Sequence, residues 1–145
     1  MKEKMLDSNI FIHAFLEPRK KVTPRESEIK QKSLNIVKTL QKGNLKTLIT
    51  TTQIFEIANL LESWMGHEAA TDIVNFIVTA SNIKIYTISQ KDLEEALKVI
   101  EQYKSNKIGF NDCVTFVAMK NVNINEIYSF DKHFDQFSNI IRLEE

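Results

Sequence analysis

The chain reads as an α/β protein, a three-layer sandwich in which a largely parallel sheet of about five strands is flanked by helices. Two observations predict this. Short apolar or β-branched runs alternate with longer segments of helical periodicity, and that alternation builds parallel strands covered by helices. The size and composition, 145 residues with 43% hydrophobic and 26% charged, suit one domain spanning residues 1–145 with its own core.

Lys4–Asp7 is the first strand, followed by a helix carrying Ile10, Phe11, Ile12, Phe15 and Leu16. Glu17 to Val22, with Pro18 and three consecutive basic residues, is a loop. Thr23-Pro24-Arg25-Glu26 then starts a helix: the Thr hydroxyl can cap, Pro suits the first helical position, and Glu can reach back to the cap amide. That helix runs to Lys42 with Ile29, Ile36, Val37 and Leu40 facing inward, and Gly43 stops it. Thr47–Thr50 is the second strand. A helix from about Thr52 to Trp64 follows, expected to be largely buried because apolar residues surround it on nearly all sides.

Gly66 separates that helix from another, with Ala69, Ile73, Phe76, Ile77 and Ala80 at helical spacing. Lys84–Ile88 is the third strand. Ser89 to Asp92 forms a capping box ahead of Leu93, Ala96, Leu97 and Ile100. A polar loop, Lys104 to Gly109, leads to the apolar helix Asn111–Lys120. Ile127–Ser129 is the fourth strand and Ile140–Leu143 the fifth.

The bulk properties exclude several classes. With 3 Gly and 2 Pro the chain is not low-complexity. A single Cys forms no internal disulfide, and no Cys/His spacing suggests zinc. No apolar run approaches the ~18 residues of a membrane span. The N-terminal residues are too charged for a signal peptide, so a cytoplasmic protein is expected. The net charge of zero announces no global attraction to nucleic acid, although a local basic patch suffices for binding.

Four acids stand out. Asp7 ends the first strand, and ligands of parallel α/β sheets bind outside the carboxyl ends of strands; Asp is equally a good helix cap. Glu56 shares a narrow polar stripe with Thr52, Asn59 and Ser63, and a carboxylate on an otherwise apolar helix needs a partner. Asp112 lies in the first turn of an apolar helix, where the helix dipole favours an anion and a cation could also be bound. Asp131 follows the fourth strand, with Asp135 as a rival four residues on. Brought together, these carboxylates would repel one another unless a cation joined them.

The order of these segments resembles the PIN-domain ribonuclease family, and in particular the VapC-type toxins of toxin–antitoxin systems. The resemblance spans essentially the whole chain. It rests on Leu6-Asp7-Ser8-Asn9, Thr52-Gln53-Ile54-Phe55-Glu56, Phe110-Asn111-Asp112-Cys113 and Ser129-Phe130-Asp131-Lys132-His133-Phe134. It implies that all four acids meet at one end of the sheet and bind Mg²⁺ or Mn²⁺, with Ser8 and Ser129 as supporting hydroxyls. It further implies a homodimer and an antitoxin protein as partner. Some relatives carry an additional acid near the third or fourth site, where this chain has Asn111 and Asp135. Oxygen-only carboxylate sites suit those ions, and the expected reaction is in-line attack of metal-activated water on an RNA phosphodiester.

Supporting residues have plainer readings beside the functional one. His133, Lys132, Arg19, Lys20 and Lys21 are candidate contacts to RNA, as are Arg25, Lys104 and Lys107, yet solvated charges look the same in sequence. Cys113 is a small core residue, and Trp64 and Met65 are packing or dimer contacts. Two other uses of the domain are a catalytically weak scaffold binding RNA or protein, and a housekeeping RNA-processing nuclease. An aspartate-nucleophile phosphatase would want an acid at Asn9. A response-regulator receiver would want one after the third strand, where Ile88-Ser89 stands.

Overall fold

The computed structural model describes residues 2–18 and 20–145. Five strands form a single sheet: β1 (Lys4–Leu6), β2 (Thr47–Thr50), β3 (Ile83–Tyr86), β4 (Glu126–Tyr128) and β5 (Ile141–Leu143). Their order is β3-β2-β1-β4-β5 and every pairing is parallel. Six helices connect them: α1 (Ser8–Phe15), α2 (Pro24–Gln41), α3 (Thr51–Met65), α4 (His67–Thr79), α5 (Gln90–Gln102) and α6 (Phe110–Asn121). The chain winds outward from β1 in both directions, so β1 is central and its order reverses there; this switch point is where parallel sheets bind ligands.

Two apolar layers enclose the sheet. Leu6, Ile10, Phe11, Ile36, Leu40, Ile49, Ile57, Leu61 and Ile77 pack on one side. Met5, Ala96, Cys113, Val114, Ala118, Met119, Ile127, Phe134 and Phe137 pack on the other. Alternation within β1 explains the split, because Met5 and Leu6 point to opposite faces. Cys113 is fully buried, the small core residue it was expected to be.

The local signals behave as capping chemistry requires, with differences in detail. Thr23 accepts from the Glu26 amide at 3.1 Å. Complete reciprocal boxes form at Ser89–Asp92 and, unforeseen, at Thr50–Gln53, which starts α3 one residue earlier than expected. Gly43 and Gly66 take positive φ of 76° and 89°, a conformation with little cost only for glycine. Thr50–Gln53 capping also turns β2 directly into α3, leaving no loop between them.

Helix α3 departs from the expected burial. Ile54, Ile57 and Leu61 are buried, but Phe55 is 64% exposed and Asn59 and Glu62 face solvent. One face meets the core and the sheet end, while the opposite face is free. In α5 the inward face is Asp92, Ala96 and Val99, leaving Leu93 and Leu97 exposed. Among the described residues no helix is long and apolar enough to cross a membrane.

Candidate active site

The acids gather at the carboxyl end of the sheet because each is placed by a strand end or a helix start. Asp7 follows β1 and is the cap residue of α1, yet its side chain makes no capping bond. It turns instead toward β4, accepting from the Ser129 hydroxyl at 2.6 Å and, more weakly, from Ser8 at 3.4 Å. Asp7 is 6% exposed and Ser129 fully buried. The capping role that sequence allowed is therefore given up in favour of a bond between two strand ends.

Glu56 projects from the second turn of α3 into the same space. Its two oxygens accept from Ser8 Oγ at 3.0 Å and from the Asn111 side-chain amide. Ser8 thus touches both Asp7 and Glu56, and Ser129 touches Asp7 while accepting from the Asp131 amide at 2.9 Å and the Asn9 amide at 3.4 Å. The two hydroxyls tie α1, α3 and the end of β4 together.

Asp112 and Asp131 complete the cluster with a third member. Asp131 caps a short 3-10 turn, Lys132–Gln136, by accepting from the His133 amide at 2.9 Å. That turn folds the His133 ring back over the acids: Nδ1 lies 3.1 Å from Asp131 Oδ1 and 3.5 Å from Asp112 Oδ2. One ligand atom from each of Asp112, Asp131 and His133 falls within 4.8 Å of the others. The sequence identified His133 only as an RNA contact; the i, i+2 turn capped by Asp131 is the signal that brings it to the carboxylates.

The electrostatics follow from this crowding. Burial pushes the Asp7 carboxyl up to about 6; the Ser129 hydrogen bond opposes the rise, and the charges of Asp131 and Glu56 add to it. Asp112 rises to about 7, first from burial and then from Asp131 and Asp7, with His133 opposing. Both acids are harder to ionise, first because they are buried and then because their neighbours are acids. A divalent cation reverses that situation, and the available donors, carboxylate oxygens with one imidazole, are those such ions accept.

Other candidates lie elsewhere. Asp135 is paired with Arg142 at 3.0 and 3.3 Å and is half exposed, so the rival to Asp131 is engaged in a separate ion pair. Arg25, a candidate RNA contact, is held by both oxygens of Glu144 at 3.1 Å and by Glu28 at 3.4 Å. Lys104 pairs with Glu101 at 3.8 Å. Lys20, Lys21, Lys107 and Lys132 are exposed. Arg19 lies outside the described residues. An apolar cavity of about 380 Å³ between α1, α2 and the end of α3 is lined by His13, Leu16, Val22, Ile29 and Trp64 among others, and by none of the four acids.

An all-parallel sheet with carboxylates gathered beyond its central strands defines a class of acid-centred α/β domain, and the comparisons say which. The PIN domain family model matches residues 4–140, so the chain belongs to the PIN domain family. Solved structures of several toxins and toxin–antitoxin complexes share the fold. The toxin VapC20 of Mycobacterium tuberculosis, described as cleaving the sarcin-ricin loop, matches with a TM-score of 0.71 at 16% identity, over 96% of this chain and 97% of that one. DNA-bound VapBC of Salmonella typhimurium matches with a TM-score of 0.69 at 14% identity, over 99% and 98%. VapBC2 of Rickettsia felis, bound to a promoter DNA fragment, gives 0.66 at 17% identity, over 98% of each. No curated protein sequence matches the chain.

Proposed function

We propose that the protein is a metal-dependent endoribonuclease that hydrolyses RNA phosphodiester bonds, and that it is the toxin of a toxin–antitoxin pair. The observation that carries the reading is the convergence of Asp7, Glu56, Asp112 and Asp131, from four separate segments, within a PIN domain. Asp7, Glu56, Asp112 and Asp131 would hold Mg²⁺ or Mn²⁺. The bound ion would supply a more acidic water and charge stabilisation at the phosphodiester. The chain's own residues prepare the site. Ser129 and Ser8 fix the direction of Asp7, and Ser8 with Asn111 holds Glu56, so the carboxylates are oriented before substrate arrives.

Lys132, Lys20 and Lys21 are exposed and available for the RNA backbone, where basic side chains add sequence-independent affinity. The toxin assignment is supported by structural neighbours that are toxin–antitoxin complexes, and such a pair would act in the cytoplasm. The exposed Phe55 on α3 and Leu97 on α5 favour a homodimer in which apolar surface is covered.

Cleavage of structured and unstructured RNAs with Mg²⁺, Mn²⁺ or EDTA tests the reading. Activity should need the metal and should fall by on the order of a hundredfold or more in Asp7→Asn and Asp112→Asn. Cleavage that survives EDTA and both substitutions would reject it. Retained RNA binding without turnover in any metal would favour a scaffold instead.

A further inference from the structure

Every residue the reading above assigns to the cation is an acid, but the tightest group of donor atoms at the sheet end contains an imidazole. His133 Nδ1 sits 3.1 Å from Asp131 Oδ1 and 3.5 Å from Asp112 Oδ2. This closeness is built into the chain. Asp131 caps the turn through the His133 amide, fixing the backbone from one side. Phe134, the next residue, is completely buried and anchors the turn in the core. Asp135 is clamped by Arg142, which also donates to the Ser129 carbonyl at 3.0 Å. The Asp131 cap and the buried Phe134 fix the turn, so the half-exposed ring is placed toward two carboxylates rather than adrift.

We propose that His133 is a metal ligand, its Nδ1 joining the carboxylate oxygens of Asp112 and Asp131 around one divalent cation. The inference rests on the metal-dependent reading of the site and sharpens it. A mixed oxygen and nitrogen set is poorly matched to Mg²⁺, which prefers hard oxygen donors and keeps its waters. It suits Mn²⁺ and the later first-row ions, whose affinity for imidazole rises along the series. The site therefore selects Mn²⁺ over Mg²⁺ through one residue, at the position where the same geometry would otherwise be an ion pair between imidazolium and carboxylate.

Mn²⁺ alone, added to the full-length protein, is the probe, and nitrogen hyperfine coupling in its electron spin echo spectrum is the readout. The chain has three histidines, so the source of a coupling can be assigned by substitution. Coupling should appear in the wild type and in His13→Gln and His67→Gln, and vanish in His133→Phe, which keeps a ring without nitrogen. In that variant Mn²⁺ affinity should fall on the order of tenfold or more while Mg²⁺ affinity moves less than about twofold. A thermal melt of His133→Phe checks that the fold is intact. Bound Mn²⁺ lost in Asp112→Asn but showing no nitrogen coupling in the wild type would overturn the His133 assignment and leave the metal centre standing. Failure of the wild type to bind Mn²⁺ at all would overturn both.

Discussion

Two buried carboxylates in this molecule sit in similar places and live in opposite surroundings. Asp92, 4% exposed, lies in the first turn of α5, just after β3. Its oxygens accept from the Ser89 amide at 3.0 Å, the Asn121 amide at 2.9 Å and the Tyr86 hydroxyl at 3.2 Å. Asp7, 6% exposed, lies just after β1. It accepts from two hydroxyls but shares its space with Asp131 and Glu56, and burial first, then those charges, raise its pKa. A buried carboxylate surrounded by donors is a structural fastener. One surrounded by other carboxylates leaves charge uncompensated, and a cation is the economical remedy.

The largest difference between the two should appear on adding metal. At a concentration about a hundredfold above the dissociation constant, a ligand that binds only the folded state contributes about 3 kcal/mol. Melting of the protein in EDTA and then in millimolar Mn²⁺ should show a rise of several degrees. Asp92→Ala should show the same increment, and Asp112→Asn should lose most of it. A melting temperature indifferent to both Mg²⁺ and Mn²⁺ would erase the contrast between the sites.

Removing the fastener should come next in size. Asp92→Ala leaves the Ser89 amide and the Tyr86 hydroxyl without their acceptor, leaves Asn121 only the Tyr86 oxygen at 3.0 Å, and removes half of a capping box, a cost of about 2 kcal/mol. For a domain of this length that is roughly 6 °C in Tm. Asp112→Asn should act with the opposite sign in EDTA at pH 8, stabilising by about 1 kcal/mol after allowance for solvent screening. The folded pKa values of Asp7 and Asp112, about 6 and about 7, lie above the ordinary 3.8. Between pH 4 and 7 the folded state thus holds more protons than the unfolded, so the contribution of these groups is full below pH 4 and is lost as pH rises through 7. The metal-free wild type should lose stability over that range, Asp112→Asn should lose less, and urea melts at pH 5 and 8 measure both. Equal slopes would mean that the folded state does not hold Asp112 above its ordinary pKa.

How much of this was legible depends on whether a contact is carried by position along the chain. Asp7 and Asp131 are readable because strand ends of a parallel sheet share one edge, and short apolar runs mark both strands. The parallel α/β architecture is readable for the same reason, and its PIN-like form through the four segments that resemble that family, with boundaries one or two residues off. The Glu56–Asn111 bond is not, since it depends on the angle between α3 and α6, which no spacing encodes. Apolar residues surround α3 in sequence and predict a buried Phe55, whereas only one side of that helix meets the core. Asp92 was read as a cap, correctly, but its burial required knowing that Asn121 and Tyr86 close over it from α6 and β3. His133 stands in a segment that sequence marks as functional, but its approach to the carboxylates depends on the 3-10 turn after β4, which no spacing encodes.

The smallest effect separates Asp131 from its neighbour Asp135, which the sequence left as rivals. Asp135 is exposed and its bond to Arg142 is a surface ion pair, a type worth about 0.5 kcal/mol. Arg142 keeps Glu144 at 2.7 Å and the Ser129 carbonyl when Asp135 is changed, so the guanidinium remains anchored. Asp135→Asn should therefore shift Tm by no more than roughly 2 °C. Its Mn²⁺ affinity and RNA cleavage should stay within about threefold of wild type, because the turn retains the Asp131 cap and the buried Phe134. Asp131→Asn, measured beside it, removes a carboxylate that faces Asp112, Asp7 and His133 at once, and its metal affinity should fall on the order of tenfold or more. Equal losses in the two variants would move the edge of the site outward to the Asp135–Arg142 pair and make that pair part of what the cation requires.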